Sequence, residues 1–399
     1  MSIQAATANS ENFEDSYEAG QELAETILDK IELRKGKIGL LYCTMEFDLN
    51  ELLRGVQEHI DVPIVGCTTY SQATEDGYCE EAASLLVLTS DDLEVGIGLG
   101  QGLSRDMEAA VSHACETARR GLQGEPRLIL TFPDVALTPT VSAEAVLAAL
   151  QRRFPGVPIA GGLPGDSGKF KQTHQFLGDQ VYTDAIPVIL LGGDIRPVVM
   201  IGSGWIPTGT PAIATKAERN VLREIDHQPA IEYIGKYIPS QRLGDPEVMG
   251  TWPLAVYDDR LRAISEKYKD YAVMRSPFQY DKETGSIIYA GEIPNGAPVR
   301  LAKGSREDVI HGAADVAERL MSHLGDRDIS CLMFFSCGGR KLVLGLKTPQ
   351  EVQTLRGALP KDIPICGLYV YGEIAPIDST DPNLNQVRFH NTTLVLCAL

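Results

Sequence analysis

Three groups with complementary chemistry cluster near the C-terminus: a thiol and a guanidinium in Ser336-Cys337-Gly338-Gly339-Arg340, and a carboxylate in Tyr371-Gly372-Glu373. Arg340 offers a planar fork suited to a carboxylate, and Glu373 an acceptor for an ammonium group. Together they would clamp a zwitterion such as an amino acid, with Tyr371 beside them; alternatively, the two charges simply pair with each other. Cys337, flanked by glycines and close to an arginine, is also placed to act as a nucleophile if a base is near. His390, in Phe389-His390-Asn391-Thr392-Thr393, is the nearest imidazole in sequence, although a histidine at a strand start commonly has a structural role. The ligand-binding set read from the sequence is therefore Cys337, Arg340, Tyr371, Glu373, His390 and Asn391. Cysteine-dependent hydrolysis or group transfer through Cys337 is the enzymatic alternative.

Other motifs fail on spacing. Gly165-Asp166-Ser167-Gly168 resembles a serine nucleophile segment but has no companion His or Asp motif. Its continuation to Lys169 lacks the glycine spacing of a phosphate loop, and Phe170 stands where a magnesium-binding hydroxyl belongs. Gly96, Gly98, Gly100 and Gly102 alternate strictly, which places them on one strand face for close packing and not around a dinucleotide. Zinc-site and EF-hand spacings are missing, so no metal is expected.

The elements that must position these groups come from an internal repeat. Val62-Pro63-Ile64-Val65-Gly66, Val157-Pro158-Ile159-Ala160-Gly161, Trp252-Pro253-Leu254-Ala255-Val256 and Ile363-Pro364-Ile365-Cys366-Gly367 are variations on one phrase. Helical spacing over Tyr17–Ile31, a buried strand over Ile38–Tyr42 and a helix capped by Asp48 lead into the first copy. The second repeats the order with a helix over Met107–Arg120, a strand over Leu128–Phe132 and a helix over Ala143–Phe154. The fourth uses a helix over Glu307–His323, a strand over Cys331–Phe335 and a helix opened by Thr348-Pro349-Gln350-Glu351, in which Glu351 closes a capping box. The segment at Trp252 is a diverged copy. Alignment on the Pro-Ile strand sets Cys337 against Thr44 and Asp134, and Glu373 against Gln72 and Ser167, so the charged groups are peculiar to the fourth copy. If the strands ending at Phe335 and Gly367 are parallel neighbours, both polar segments emerge at one carboxyl edge, where α/β proteins commonly bind ligands.

The expected architecture is α/β, with layered mixed sheets, outer helices and two pseudo-symmetric halves built from a helix-strand-helix-strand unit. A length of 399 residues, 44% hydrophobic, suits about two domains. The divisions expected are 1–36 as a polar tail and first helix, 37–215, and 216–399, with the Pro- and Gly-containing stretch Trp205–Lys216 at the boundary. A net charge of −18 without a basic run excludes nucleic-acid and anionic-membrane surfaces. The acidic N-terminus lacks a signal-peptide pattern and no apolar run reaches membrane length, so a cytoplasmic location is expected. Eight cysteines without a Cys-x-x-Cys motif read as reduced, buried thiols.

The last seventy residues, with Ser336-Cys337-x-x-Arg340, Gly367-x-Tyr369-x-Tyr371-Gly372-Glu373-Ile374 and His390-Asn391-x-Thr393, resemble the C-terminal FIST domain of F-box and intracellular signal transduction proteins. Residues 37 to 240 resemble its N-terminal partner, through Val65-Gly66-Cys67-Thr68-Thr69, Ala160-Gly161-Gly162, Gly204-Trp205, Thr215-Lys216 and Pro229-Ala230. The resemblance implies a stand-alone sensory module that binds an amino-acid-like ligand. Its signal would pass to a separate protein such as a histidine kinase or a diguanylate-turnover enzyme. The resemblance implies no obligatory cofactor, but haem-binding nitric oxide sensors are among the relatives. For them His174, in Phe170-Lys171-Gln172-Thr173-His174, is the imidazole that could ligate iron, against its plain reading as a surface-strand histidine.

Overall fold

The computed structural model describes residues 3–136, 140–243, 245–264, 266 and 270–399. The repeat generates three six-stranded sheets of one topology. The strands are β1 (Gln4–Ser10), β2 (Gly36–Cys43), β3 (Ile64–Thr68), β4 (Ser71–Thr74), β5 (Gly77–Cys79), β6 (Ala83–Ser90), β7 (Leu93–Gln101), β8 (Leu128–Thr131), β9 (Ile159–Gly162), β10 (Gln175–Leu177), β11 (Gln180–Tyr182), β12 (Ala185–Gly193) and β13 (Val198–Gly202). Nine further strands, β14 (Ile206–Pro207) to β22 (Pro298–Lys303), precede β23 (Leu332–Cys337), β24 (Ile365–Val370), β25 (Glu373–Pro376), β26 (Val387–His390) and β27 (Leu394–Ala398). The three sheets run β1-β6-β2-β3-β10-β11, β7-β12-β8-β9-β25-β26 and β13-β27-β23-β24-β4-β5. Each holds one parallel pair, β2 with β3, β8 with β9 and β23 with β24, as a strand–helix–strand crossover requires.

The hairpin after each Pro-led strand leaves its own sheet and pairs with the next one. The first unit's β4–β5 joins the last unit's sheet, the second unit's β10–β11 joins the first, and the last unit's β25–β26 joins the second. The exchange is cyclic, so the three sheets enclose one common core. Tyr42 of β2, Phe132 just after β8 and Phe335 of β23 occupy matching positions and meet there with ring centroids 5.4 and 6.0 Å apart.

Helices cover the outer faces. They are α1 (Ser16–Lys30), α2 (Leu49–His59), α3 (Met107–Arg119), α4 (Ala143–Arg153), α8 (Arg306–Leu324), the short α9 (Gly338–Leu344) and α10 (Thr348–Ala358), with α5 (Ala230–Gly235), α6 (Pro246–Thr251) and α7 (Asp259–Ile264) among the nine strands. Asp48 caps α2 by accepting from the amides of Asn50 and Glu51. Alternate glycines of β7 bring α3 against the sheet: a Cβ on Gly96, Gly98 or Gly100 would lie 2.0 Å from the carbonyl oxygens of Ala118, Ala114 and Ala110. Gly98→Ala is expected to displace α3 and cost about 1–3 kcal/mol, read as a lower denaturation midpoint. A loss under about 0.5 kcal/mol would show that the helix is not held by this contact.

The Trp252 segment is not a fourth copy of the unit. Leu254–Tyr257 pairs antiparallel with both neighbours in a separate nine-stranded sheet spanning 206–303, inserted between β13 and α8. A Pro-led apolar strand is compatible with either setting, and the local phrase does not specify a parallel partner.

Candidate functional site

The threefold arrangement supplies a control for every polar group at the strand ends. Thr44, Asp134 and Cys337 occupy one position, each donating its amide to the strand beside it: to Ala82 at 3.0 Å, Ala185 at 2.9 Å and Thr393 at 3.1 Å. On the exchanged strands, register aligns Gln72, Gln175 and Glu373, which pair with Leu368, Cys67 and Gly162. Ser167 is therefore not the counterpart of Glu373, because the loop from Leu163 to His174 intervenes. Two corners carry a neutral amide where the third carries a carboxyl.

At that third corner β23 ends on Cys337 and turns into α9. Glu373 is fully buried, and its Oε2 accepts from Thr393 Oγ1 at 2.6 Å and from the Thr393 amide at 3.0 Å. Its Oε1 has no hydrogen-bond partner, and the Cys337 thiol is the titratable side chain that bonds to this carboxyl. The backbone N–H groups of Thr392 and Gly339 also point at the sulfur. Thr392 is held at φ 55°, a conformation costly for a β-branched residue. Asn391 accepts the Ser276 amide at 3.2 Å, and the unpartnered Ser276 hydroxyl and the Cys337 sulfur both lie within 4.0 Å of where a Gly339 Cβ would be. Burial pushes the Glu373 carboxyl up to about 8, although hydrogen bonds from Thr393 and Cys337 pull it down, and burial followed by the Glu373 charge pushes the Cys337 thiol well up.

Arg340 does not share this corner. It is fully buried and turned to the other side, where Nε and Nη2 hold Glu351 Oε1 at 2.8 and 2.6 Å, Nη2 donates to the Val309 carbonyl at 2.9 Å and Nη1 donates to the Ser203 carbonyl. Both the Arg340–Glu373 zwitterion clamp and the direct Arg340–Glu373 pair are thereby corrected: the guanidinium is enclosed by protein acceptors. Glu351 closes no capping box either; it also accepts from Ser336 at 2.7 Å and Tyr369 at 3.0 Å, and α10 has no side-chain cap. The sequence did carry a signal for this role, since Glu351 lies on the buried stripe Thr348, Val352, Leu355 of α10.

Two family models match most of the chain: the FIST N domain matches residues 37–228 and the FIST C domain residues 230–376. The chain belongs to the FIST family. Similar proteins include an uncharacterized protein of Mycobacterium bovis, 26% identical over 82% of this chain and 82% of its own. Another, from Methanocaldococcus jannaschii, is 25% identical over 55% of this chain and 43% of its own length. FIST domains are sensor domains of signal transduction. No helix among the described residues is long and apolar enough to cross a membrane.

The other site residues of this FIST protein are spread around the corner. Tyr371 donates to Asp166, stacks on Phe170 at 4.4 Å and is met edge-on by Tyr70. Asp166 also ties the amides of Phe170, Lys171 and Gln172, so the Gly165–Lys169 stretch is a tight turn anchored by one carboxylate. His390 is buried, with Nε2 at 3.0 Å from the Ala375 carbonyl, and burial lowers its pKa to about 3. The imidazole therefore stays neutral, and the group facing Cys337 is Glu373, not His390. His174 sits at the second corner, half-buried with an unpartnered Nδ1 near Asp134 and Asp166, and burial lowers its pKa. The charged groups near it are the carboxylates of Asp134 and Asp166, which does not fit the apolar pocket a haem requires.

A groove of about 520 Å³ opens where the inserted sheet meets α4 and β26. Two ion pairs cross it: Glu144 of α4 with Arg275 at 2.9 Å, and Asp258 with Arg388 of β26 at 2.8 Å. Arg388 and Arg260 hold the Asp258 carboxyl below its usual range despite partial burial. Groove and thiol corner are joined through one strand, since Arg275 faces the groove and bonds the Phe389 carbonyl while the adjacent Ser276 bonds Asn391. The groove residues carried no sequence signal, because they come together only through the insertion.

Proposed function

We propose that this FIST chain is a sensory module whose small zwitterionic, amino-acid-like ligand is taken up in the groove between the inserted sheet and α4–β26. The observation that carries this reading is the pair of opposed ion pairs, Glu144–Arg275 and Asp258–Arg388, facing a groove of about 520 Å³, a size suited to a small molecule. A zwitterion can exchange its carboxylate and ammonium for one member of each pair, loosening the latches between insertion and body. The shift would be felt through Arg275 and Ser276 at the β26 end, and a separate signalling protein would read it.

The test is thermal unfolding with the twenty amino acids presented singly. A binder at a hundredfold excess over its Kd adds about 2.7 kcal/mol. Ala148→Trp, at an exposed position on the α4 wall, should abolish the shift while leaving the unliganded midpoint within about 2 °C, the effect of a surface change below ~0.5 kcal/mol. No stabilisation by any amino acid, or a shift untouched by Ala148→Trp, would overturn the assignment.

A further inference from the structure

We propose that Cys337 is a peroxide-oxidised thiol whose sulfenic acid is formed and held by Glu373 and the backbone amides of Gly339 and Thr392. Three independent features meet at the sulfur. A fully buried carboxyl oxygen, Glu373 Oε1, has no hydrogen-bond partner beside the thiol that bonds to its carboxyl. Two main-chain N–H groups converge on the same atom, an arrangement that stabilises negative charge there. The rim is a glycine: a Cβ on Gly339 would sit 3.5 Å from both Cys337 Sγ and Thr392 Cγ2 and 4.0 Å from the unpartnered Ser276 hydroxyl, so any side chain there would close over the sulfur. The equivalent corners hold Thr44 with Gln72 and Asp134 with Gln175. The fold therefore needs neither a thiol at the Cys337 position nor a carboxyl at the Glu373 position.

Burial selects the reagent. Cys337 is 4% exposed, so a small hydroperoxide is the oxidant proposed and bulky electrophiles are excluded. In the reaction the Glu373 carboxylate takes the thiol proton as sulfur attacks the distal oxygen of a hydroperoxide. The S–O bond forms, the O–O bond breaks, and the leaving hydroxide or alkoxide receives the proton back from Glu373 as water or alcohol. Sulfur is oxidised by two electrons and the peroxide is reduced by two. The new S–OH donates to Glu373 Oε1, and its sulfur remains under the amides of Gly339 and Thr392. Because burial raises the carboxyl, the base form grows as pH rises through neutral, and oxidation accelerates with it. The groove reading is not needed for this step.

The experiment treats the reduced full chain with hydrogen peroxide for set times, removes the peroxide, unfolds the chain in the presence of a sulfenic-acid trap and quantifies each cysteine peptide by mass. Simple accessibility favours Cys79, the half-exposed thiol, whereas the site favours Cys337. Cys337 should be modified at least tenfold faster than Cys79 in the native protein, and the two should react alike in denaturant. Glu373→Gln, isosteric with the residue at both equivalent corners, should keep the fold, slow Cys337 oxidation about tenfold and flatten its rise with pH. Cys79 reacting first with Cys337 unmodified overturns the proposal. So does oxidation of the folded Glu373→Gln variant at the wild-type rate.

Discussion

Glu351→Ala is expected to destabilise the protein by about 3–5 kcal/mol, the cost of leaving a buried charge without its partner. Arg340 is fully enclosed, and its fork closes on Glu351 at 2.6 and 2.8 Å. Removing the carboxylate leaves the guanidinium with only the Ser203 and Val309 carbonyls, and strips the acceptor from the Ser336 and Tyr369 hydroxyls as well. The loss should appear as a lower denaturation midpoint at unchanged slope, since the surface exposed on unfolding is the same. The double variant Arg340→Met with Glu351→Leu should recover most of it, because two apolar groups impose no unpaired charge. A single-variant loss below about 1 kcal/mol, or a double variant as unstable as the single, would contradict the assignment of this pair as a structural tie. Amino-acid binding in the groove should survive the double substitution, which separates the tie from the ligand.

Residues 336–340 and 371–373 stood out in the sequence for a sound reason, and the copies differ there as they should. Which charge meets which was not legible. Arg340 and Glu351 are eleven residues apart on different helices, and only the packing of α10 on β23 and β24 turns one toward the other. Glu351 has the spacing of a capping residue and that of a buried-stripe residue at once. Local sequence cannot choose between them, because the choice depends on a partner delivered by another element. The helices and parallel strand pairs were legible, since their apolar periodicity is long enough to fix a face. The exchange of β4–β5, β10–β11 and β25–β26 was not, since strands of three or four residues do not encode which edge they will join. The alignment of Glu373 with Ser167 failed for the same reason: without the exchange, the loop before β10 hides Gln175 as the true counterpart.

The exchange makes one residue's packing everyone's business, and Phe132 is where this should show most. Phe132 is fully buried between Tyr42 of the first unit and Phe335 of the last, with centroids at 5.4 and 6.0 Å. Phe132→Ala removes the middle ring of three and leaves a void walled by all three sheets, at an expected cost of about 3–5 kcal/mol. Each sheet carries a hairpin from another unit, so none can close the void by shifting alone. Tyr42 sharpens the test, because its hydroxyl is buried in the same core without a partner and burial drives the phenol pKa well up. Tyr42→Phe keeps the ring contact and deletes only the unsatisfied hydroxyl, so it should leave stability unchanged or raise it by about 1 kcal/mol. Hydrogen exchange distinguishes a common core from three separate ones: Phe132→Ala should lower protection in β2, β8 and β23 together. A loss of protection confined to β8 would mean that the sheets open independently and that the strand exchange does not bind them into one cooperative unit.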